Sequence, residues 1–177
     1  MRIVRYHFLL VMFFVTLLLH IGNLPVYAQD TSNNSKGKLY LVNAGGGFSS
    51  FGLSLGISLS SQFGRSLVSI RYIYNTTFMS LSPSEETVWD VGALYGLSSK
   101  TSSGFSSISG GVGIVGGNRY DIRDEWSTFL TVGIPIEGQM FWKPHPSLGI
   151  GIYGFANLNQ EKSFVGALFC LQYGILR

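Results

Sequence analysis

A histidine close to a serine is the first pair of residues in this sequence that could do chemistry. His145, Pro146 and Ser147 follow one another, and a serine nucleophile needs a general base such as histidine within reach. The other two histidines lie in an N-terminal stretch that we expect to be removed. The prolines around His145 predict a short turn, and no other histidine would remain to activate a serine elsewhere in the chain. We therefore predict no catalytic residues.

A glycine-rich stretch matches a nucleotide-binding motif in its spacing. Residues 111–116 read Gly-Val-Gly-Ile-Val-Gly, but this G-x-G-x-x-G spacing binds a pyrophosphate only where it follows a strand and opens a helix. Here a loop and another extended segment follow. Cys170 is the only cysteine, so it has no partner for a disulfide and no companion thiol for a metal site. The sequence thus predicts no cofactor and no metal.

Charged residues within alternating, otherwise uncharged segments are the remaining candidates. By alternation, Arg71 and Asp90 point to the interior of the predicted sheet, and they lie opposite each other if their hairpin is centred between Ser80 and Leu81. Because an unpaired buried charge is costly, we expect an ion pair. It could gate a small polar passage or act as a structural plug that fixes strand register, and we favour the plug. Two further residues point inward by the same parity, Glu137, for which no cation is evident, and Gln172.

The elements that must position these residues begin after an export signal. Arg2 and Arg5 precede an apolar run over residues 8–19, and Val26 and Ala28 suit signal-peptidase cleavage after Ala28. The run is shorter than the ~20 residues of a membrane-spanning helix. We therefore predict a cleaved signal peptide over residues 1–28, a flexible polar lead-in over 29–37 and one domain over 38–177.

Charge is scarce throughout the predicted domain. The 177-residue chain has only 12% charged residues, about half the ~25% of soluble domains. The formal net charge of +3 falls to +1 once Arg2 and Arg5 are removed, since 12 cations become 10 against 9 anions. The remaining cations are scattered, without the basic stripe that nucleic-acid binding needs. This composition argues against both a cytosolic enzyme and a nucleic-acid-binding protein.

Hydrophobic residues alternate with Gly, Ser and Thr at a period of two, which predicts β-strands. Four stretches carry no Asp, Glu, Lys or Arg, and most charges gather between them. Eight strands are predicted, the first of them least clearly because residues 44–47 (Ala-Gly-Gly-Gly) interrupt its alternation. They cover about residues 38–48, 50–61, 65–75, 85–98, 103–117, 125–142, 147–158 and 162–176. Pro135 falls inside the sixth, where we expect a bulge or an early strand end.

The two faces of these strands predict which solvent each one meets. The small, uncharged face would make a poor surface in water but a suitable lining for the narrow interior of an eight-stranded barrel. The Leu, Ile and Val face is therefore expected to face lipid. A closed barrel also leaves no sheet edge with unpaired backbone groups in the hydrocarbon. Aromatic residues support this by falling near the two predicted rims, as in membrane barrels. They are Tyr72, Tyr74, Trp89 and Trp126 at one rim and Tyr95, Trp142 and Tyr173 at the other.

On these features, the chain resembles the small eight-stranded outer-membrane β-barrels of the OmpX and OmpA-transmembrane-domain type over residues 38–177. The resemblance implies an all-β fold, an eight-stranded antiparallel up-and-down transmembrane β-barrel in a bacterial outer membrane, with both chain ends on the periplasmic side. The C-terminus departs from this family, since Arg177 stands where an aromatic residue is usual.

The resemblance implies a non-enzymatic structural or surface-interaction role, with the lipid bilayer as partner and a monomeric state. The mixed charges of residues 119–125 could contact lipopolysaccharide or a surface ligand, but we favour a solvated loop tip. Two alternatives remain open. One is a barrel enzyme that modifies outer-leaflet lipid, but such enzymes use a histidine near the outer leaflet, whereas His145 is expected at the periplasmic side. The other is a soluble secreted β-barrel that binds a small apolar ligand.

Overall fold

The computed structural model of the protein describes residues 39–77, 86–101, 103–120, 126–145 and 147–174. The predicted signal peptide and lead-in lie outside these residues. In the described part every regular element is a β-strand. The eight strands are β1 (Leu39–Ser49), β2 (Gly52–Phe63), β3 (Ser66–Thr76), β4 (Thr87–Lys100), β5 (Gly104–Tyr120), β6 (Trp126–His145), β7 (Leu148–Asn159) and β8 (Phe164–Gly174).

The strands form one closed antiparallel barrel in sequence order. Each strand pairs with the next, and β1 pairs with β8 to complete the cylinder. The predicted eight-stranded up-and-down architecture is confirmed, and the predicted strand boundaries agree to within three residues. Among the described residues, no helix is long and apolar enough to cross a membrane.

The barrel has two distinct ends. The terminal end carries the first residue of β1, the last residue of β8 and the short turns at residues 64–65, 101–103 and 146–147. The loop end carries the connections at residues 50–51, 77–86, 121–125 and 160–163. In the turn at the terminal end, Gly64 has a φ of +64°, which is the left-handed conformation that glycine adopts without steric cost.

The outer surface of the barrel is apolar. Side chains predicted to face outward are the exposed ones: Leu130 is 70% exposed, Val132 is 72% and Met140 is 71%. Alternate residues of the same strands are buried in the lumen, including Ser54, Ser58 and Ser60. The predicted orientation, with the aliphatic face outside and the small polar face inside, is therefore present in the fold.

The lumen also contains large apolar side chains, although its lining was predicted to consist mostly of Gly, Ser and Thr. Phe105, Phe141, Phe155, Phe164 and Tyr153 are buried there with several aliphatic residues. Glycines make room for some of these rings: a Cβ on Gly151 would lie 2.7 Å from Cδ1 of Phe141, and one on Gly166 would lie 2.5 Å from Cζ of Phe155. The interior is thus filled by rings as well as by small residues.

Glycines in β1 allow the barrel to close. A Cβ on Gly45 would lie 2.3 Å from the carbonyl oxygen of Phe169, and one on Gly47 would lie 2.1 Å from that of Ala167. Both acceptors belong to the backbone of β8, which cannot move aside as a side chain could. The run that interrupts the alternation of β1 therefore permits the close approach of β1 to β8.

The expected bulge or strand end at Pro135 is wrong. β6 continues through Pro135, and its register with β5 is the same on both sides, since Gly110 pairs with Ile136 and Gly113 with Gly133. Proline has no N–H to donate, so the ladder to β5 is interrupted locally while Pro135 still pairs with Asn157 of β7. The register shift in β6 occurs instead between Trp142 and His145, near the terminal end.

Candidate functional site

The centre of the lumen contains a buried ion pair between Arg71 of β3 and Asp90 of β4. Nη2 of Arg71 donates to Oδ2 of Asp90 at 2.7 Å, and Nε donates to Oδ1 at 3.3 Å. Both side chains are fully buried. This is a bidentate arrangement, which fixes orientation as well as distance.

The register that brings Arg71 and Asp90 together differs from the predicted one. The backbone partner of Arg71 is Gly92, and that of Asp90 is Ile73. The expectation that Arg71 and Asp90 lie directly opposite each other is therefore wrong by two residues, although a shift of two keeps both on the same face. The long arginine side chain spans this diagonal, which is within reach for adjacent strands.

The guanidinium of Arg71 also crosses the lumen. Nη1 donates to the carbonyl oxygen of Ile136 at 2.9 Å, and Nη2 donates to that of Ala156 at 2.8 Å. Asp90 accepts a further bond of 2.8 Å from Nδ2 of Asn157. These contacts connect β3 and β4 with β6 and β7 on the other side of the barrel. Every contact therefore restrains the barrel wall, which is the arrangement expected of a plug.

Glu137 is the second buried carboxylate of the lumen. Oε1 accepts hydrogen bonds from the Ser69 hydroxyl at 2.8 Å and from Nε2 of Gln139 at 3.1 Å, and Oε2 accepts one from the Tyr153 hydroxyl. Arg71 lies close enough to Glu137 for their charges to attract. Glu137 is thus held by three hydrogen bonds, and it forms no ion pair among the described residues.

Gln172 lies on the lumen side of β8, as predicted, and is fully buried. Its backbone partner on β1 is Asn43, which donates to the Ser58 hydroxyl at 2.9 Å and to Oε1 of Gln139 at 3.2 Å. Neither side-chain polar atom of Gln172 has a hydrogen-bond partner among the described residues, and neither has Oδ1 of Asn43. The polar network is thus well satisfied near Arg71 and less so around Gln172.

Several members of this network were not predicted from the sequence. Each occupies a lumen-facing position of its strand, so the alternation that identified Arg71 could also have identified these amides and the phenol. Alternation alone does not show which of these residues meet across the barrel. The network members that were not predicted are Asn43, Gln139, Tyr153 and Asn157.

Aromatic rings pack together in the lumen toward the loop end. Phe164 packs edge-on against Phe51 and Phe155, with ring centroids 6.2 Å apart in each pair. Lys162 forms an ion pair with Glu86, and its ammonium lies 4.7 Å from the centre of the Phe51 ring. Near Asn43 and Cys170, deeper inside, the remaining space does not admit a water molecule.

The residues considered for catalysis and cofactor binding are far from forming such sites. His145 is exposed at the terminal end of β6, where Nδ1 accepts a bond from the backbone N–H of Ser147. Residues 111–116 lie within β5 and do not open a helix. In the described ranges, no group of three His, Cys, Asp or Glu side chains is arranged to hold a metal ion.

Comparisons with known proteins bear on the fold. No protein-family model matches the chain, and no curated protein sequence matches it. Among solved structures, the N-terminal β-barrel domain of Pseudomonas aeruginosa OprF is similar with a TM-score of 0.58 and 11% identity, over 77% of this chain and 96% of that one.

Two further solved barrels give similar values. Neisserial surface protein A (NspA) has a TM-score of 0.57 and 12% identity, over 82% of this chain and 100% of that chain. Ail, the attachment invasion locus protein of Yersinia pestis, has a TM-score of 0.51 and 10% identity, over 77% and 96% of the two chains. The fold of this chain is therefore the eight-stranded barrel of small outer-membrane proteins.

Proposed function

We propose that this chain is an integral β-barrel of a bacterial outer membrane with a structural or surface-interaction role and no enzymatic activity. The observation that carries the proposal is the apolar band around the barrel. In water, each large side chain of this band would forgo about 1.5–3 kcal/mol of burial, and more than twenty are exposed. In a bilayer the same side chains contact acyl chains, and the closed ladder leaves no strand edge unpaired.

The orientation in the membrane is inferred from the two ends of the barrel. Outer-membrane barrels have short periplasmic turns and longer loops outside, so the terminal end is assigned to the periplasm and the loop end to the cell exterior. Export through a signal peptide cleaved after Ala28 is part of the same proposal. It would place residues 29–37 in the periplasm as a short lead-in to β1.

The lumen is proposed to be a structural core rather than a conduit. Arg71 donates to Asp90 and to two backbone carbonyl oxygens of the barrel wall, and aromatic rings pack together in the lumen toward the loop end. A gate would need an alternative set of partners for Arg71 in an open state, and the one other carboxylate in the described part of the lumen, Glu137, already accepts three hydrogen bonds. The plug is therefore favoured over the gate.

The proposed partners are the lipid bilayer and, at the loop end, lipopolysaccharide or a surface ligand. A solved structure of Ail is a complex with the heparin analogue sucrose octasulfate, which shows that a barrel of this fold can bind a polyanion. In this chain Arg119 is an exposed cation of the loop end, although Glu161 pairs with it at 3.1 Å. A monomer is proposed, because each barrel closes on itself and needs no second copy.

Two measurements test the proposal. After carbonate extraction of membranes, the protein should stay in the pellet, and unboiled samples should migrate differently from boiled ones on a gel, because a folded membrane barrel resists detergent until it is heated. Release by carbonate together with a single mobility would support the soluble barrel instead. Release of fatty acid from lipopolysaccharide by the purified protein in detergent would support the lipid-modifying enzyme and refute a purely non-enzymatic role.

A further inference from the structure

The two ends of the barrel differ in how their charges are paired. At the loop end the described cations have carboxylate partners: Arg119 pairs with Glu161 and Lys162 with Glu86. At the terminal end, each of the three short turns has one cation within it or within three residues of it, and none of the three has a carboxylate partner among the described residues. We call these three residues the cationic ring; they are Arg65, Lys100 and Lys143.

The segments around the cationic ring contain no acidic residue that could neutralise it. The segments around the three turns, residues 62–66, 97–105 and 140–150, contain no Asp or Glu. Lys100 and Lys143 nevertheless lie close enough for their charges to repel, and Nζ of Lys143 donates only to the carbonyl oxygen of Thr101, at 3.4 Å. Holding like charges together without a counterion costs energy, which an external anion would remove.

The depth of the cationic ring is indicated by aromatic residues on the outer surface at the same end. Tyr95 is 61% exposed, Trp142 is 61% and Tyr173 is 44%. Tyrosine and tryptophan collect at the membrane–water interface, where one part of the ring is in lipid and the other reaches water. The neighbouring cations therefore lie at the level of lipid headgroups.

We propose that the cationic ring binds the phosphate groups of anionic phospholipids in the leaflet at the terminal end; this inference rests on the proposed membrane location. Lys100 and Lys143 are the last lumen-facing residues of β4 and β6 at the terminal end, and both are only half-buried. Arg65 is exposed. Their flexible stems can extend from the rim toward headgroups while the apolar part remains against the barrel. Because the cations are distributed over three successive turns, they match a leaflet around the rim better than one small anion.

The test compares lipid selectivity in variants of equal charge change. The protein is reconstituted in phosphatidylcholine vesicles with a minor fraction of phosphatidylglycerol, and spin-labelled forms of both lipids report which one is held at the protein surface. Wild-type protein should prefer phosphatidylglycerol by at least about twofold, since each cation near a membrane surface contributes measurably. The double variant Lys100→Gln/Lys143→Gln should lose most of this preference, whereas the control Arg119→Gln/Lys162→Gln should keep it.

The outcomes separate this inference from the proposed function. Two results would refute lipid binding by the cationic ring and leave the membrane location intact. In one, wild-type protein inserts into vesicles without preferring phosphatidylglycerol; in the other, both double variants lose the preference equally. Failure of wild-type protein to insert at all would refute both. Inorganic tripolyphosphate should weaken the preference at an ionic strength where the matching concentration of chloride does not, because it competes for the same cations; equal effects of the two salts would contradict phosphate recognition by the ring.

Discussion

Removal of one partner of the Arg71–Asp90 pair should destabilise the barrel strongly. Asp90→Asn keeps the shape of the side chain but removes its charge, so Arg71 stays charged in the lumen with neutral acceptors, namely the new amide oxygen and the carbonyl oxygens of Ile136 and Ala156. Arg71→Met leaves Asp90 with the single bond from Asn157. Breaking a fully buried pair in this way costs about 3–5 kcal/mol, and we expect each single variant to lose about that much of the free energy of unfolding.

The double variant Arg71→Met/Asp90→Asn is the decisive measurement. Because each single variant strands a charge that the double variant does not contain, the double should lose less than the sum, with a coupling of about 1–3 kcal/mol. Urea unfolding in detergent micelles or vesicles, followed by tryptophan fluorescence, gives the three free energies by linear extrapolation. Additive losses, or singles that cost less than about 1 kcal/mol, would mean that the pair is solvated and that the plug interpretation is wrong.

Three further variants test other parts of the structure. Glu137→Gln should lower the free energy of unfolding by about 1–3 kcal/mol, because a charged acceptor of three hydrogen bonds is replaced; a matched measurement in urea checks it. Leu130→Arg should lower stability in vesicles by about 2–4 kcal/mol if this position faces the bilayer midplane, and an unchanged midpoint there would contradict a lipid-facing surface. Gly111→Ala should reduce the fraction of protein that folds, measured as the fraction whose gel mobility changes on heating, since its Cβ would lie 2.0 Å from a backbone carbonyl oxygen of β4. Gly110→Ala should fold normally, because its Cβ would have no neighbour nearer than 3.8 Å.

The fold could be predicted from the sequence because each strand carries its own information. Alternation at a period of two assigns a face to every residue, and the uncharged stretches between turns mark the strands. Arg71, Asp90, Glu137 and Gln172 all lie on the predicted side of the sheet for this reason. Their roles as structural residues remain a prediction that the unfolding measurements address.

Register and cross-lumen contacts could not be predicted in the same way. A long loop joins β3 to β4, so its length does not fix which residues pair, and alternation is unchanged by a shift of two. Contacts such as those of Arg71 with Ile136 and Ala156 depend on the diameter of the closed barrel, which no single segment determines. Pro135 was misjudged because the sequence shows its missing N–H but not that pairing with β7 continues through it.

The junction between β1 and β8 has a consequence for how the cylinder forms. Seven of the eight strand pairings join consecutive strands, and the eighth brings together the two extremes of the domain. Local hairpins can therefore assemble early, whereas sealing must wait until the final strand is present. Gly45 and Gly47 lie at this junction. A side chain at either position would keep β1 and β8 apart and leave their backbone N–H and C=O groups unpaired in the hydrocarbon. Closure of the barrel thus depends on two positions of β1 that carry a hydrogen atom in place of a side chain.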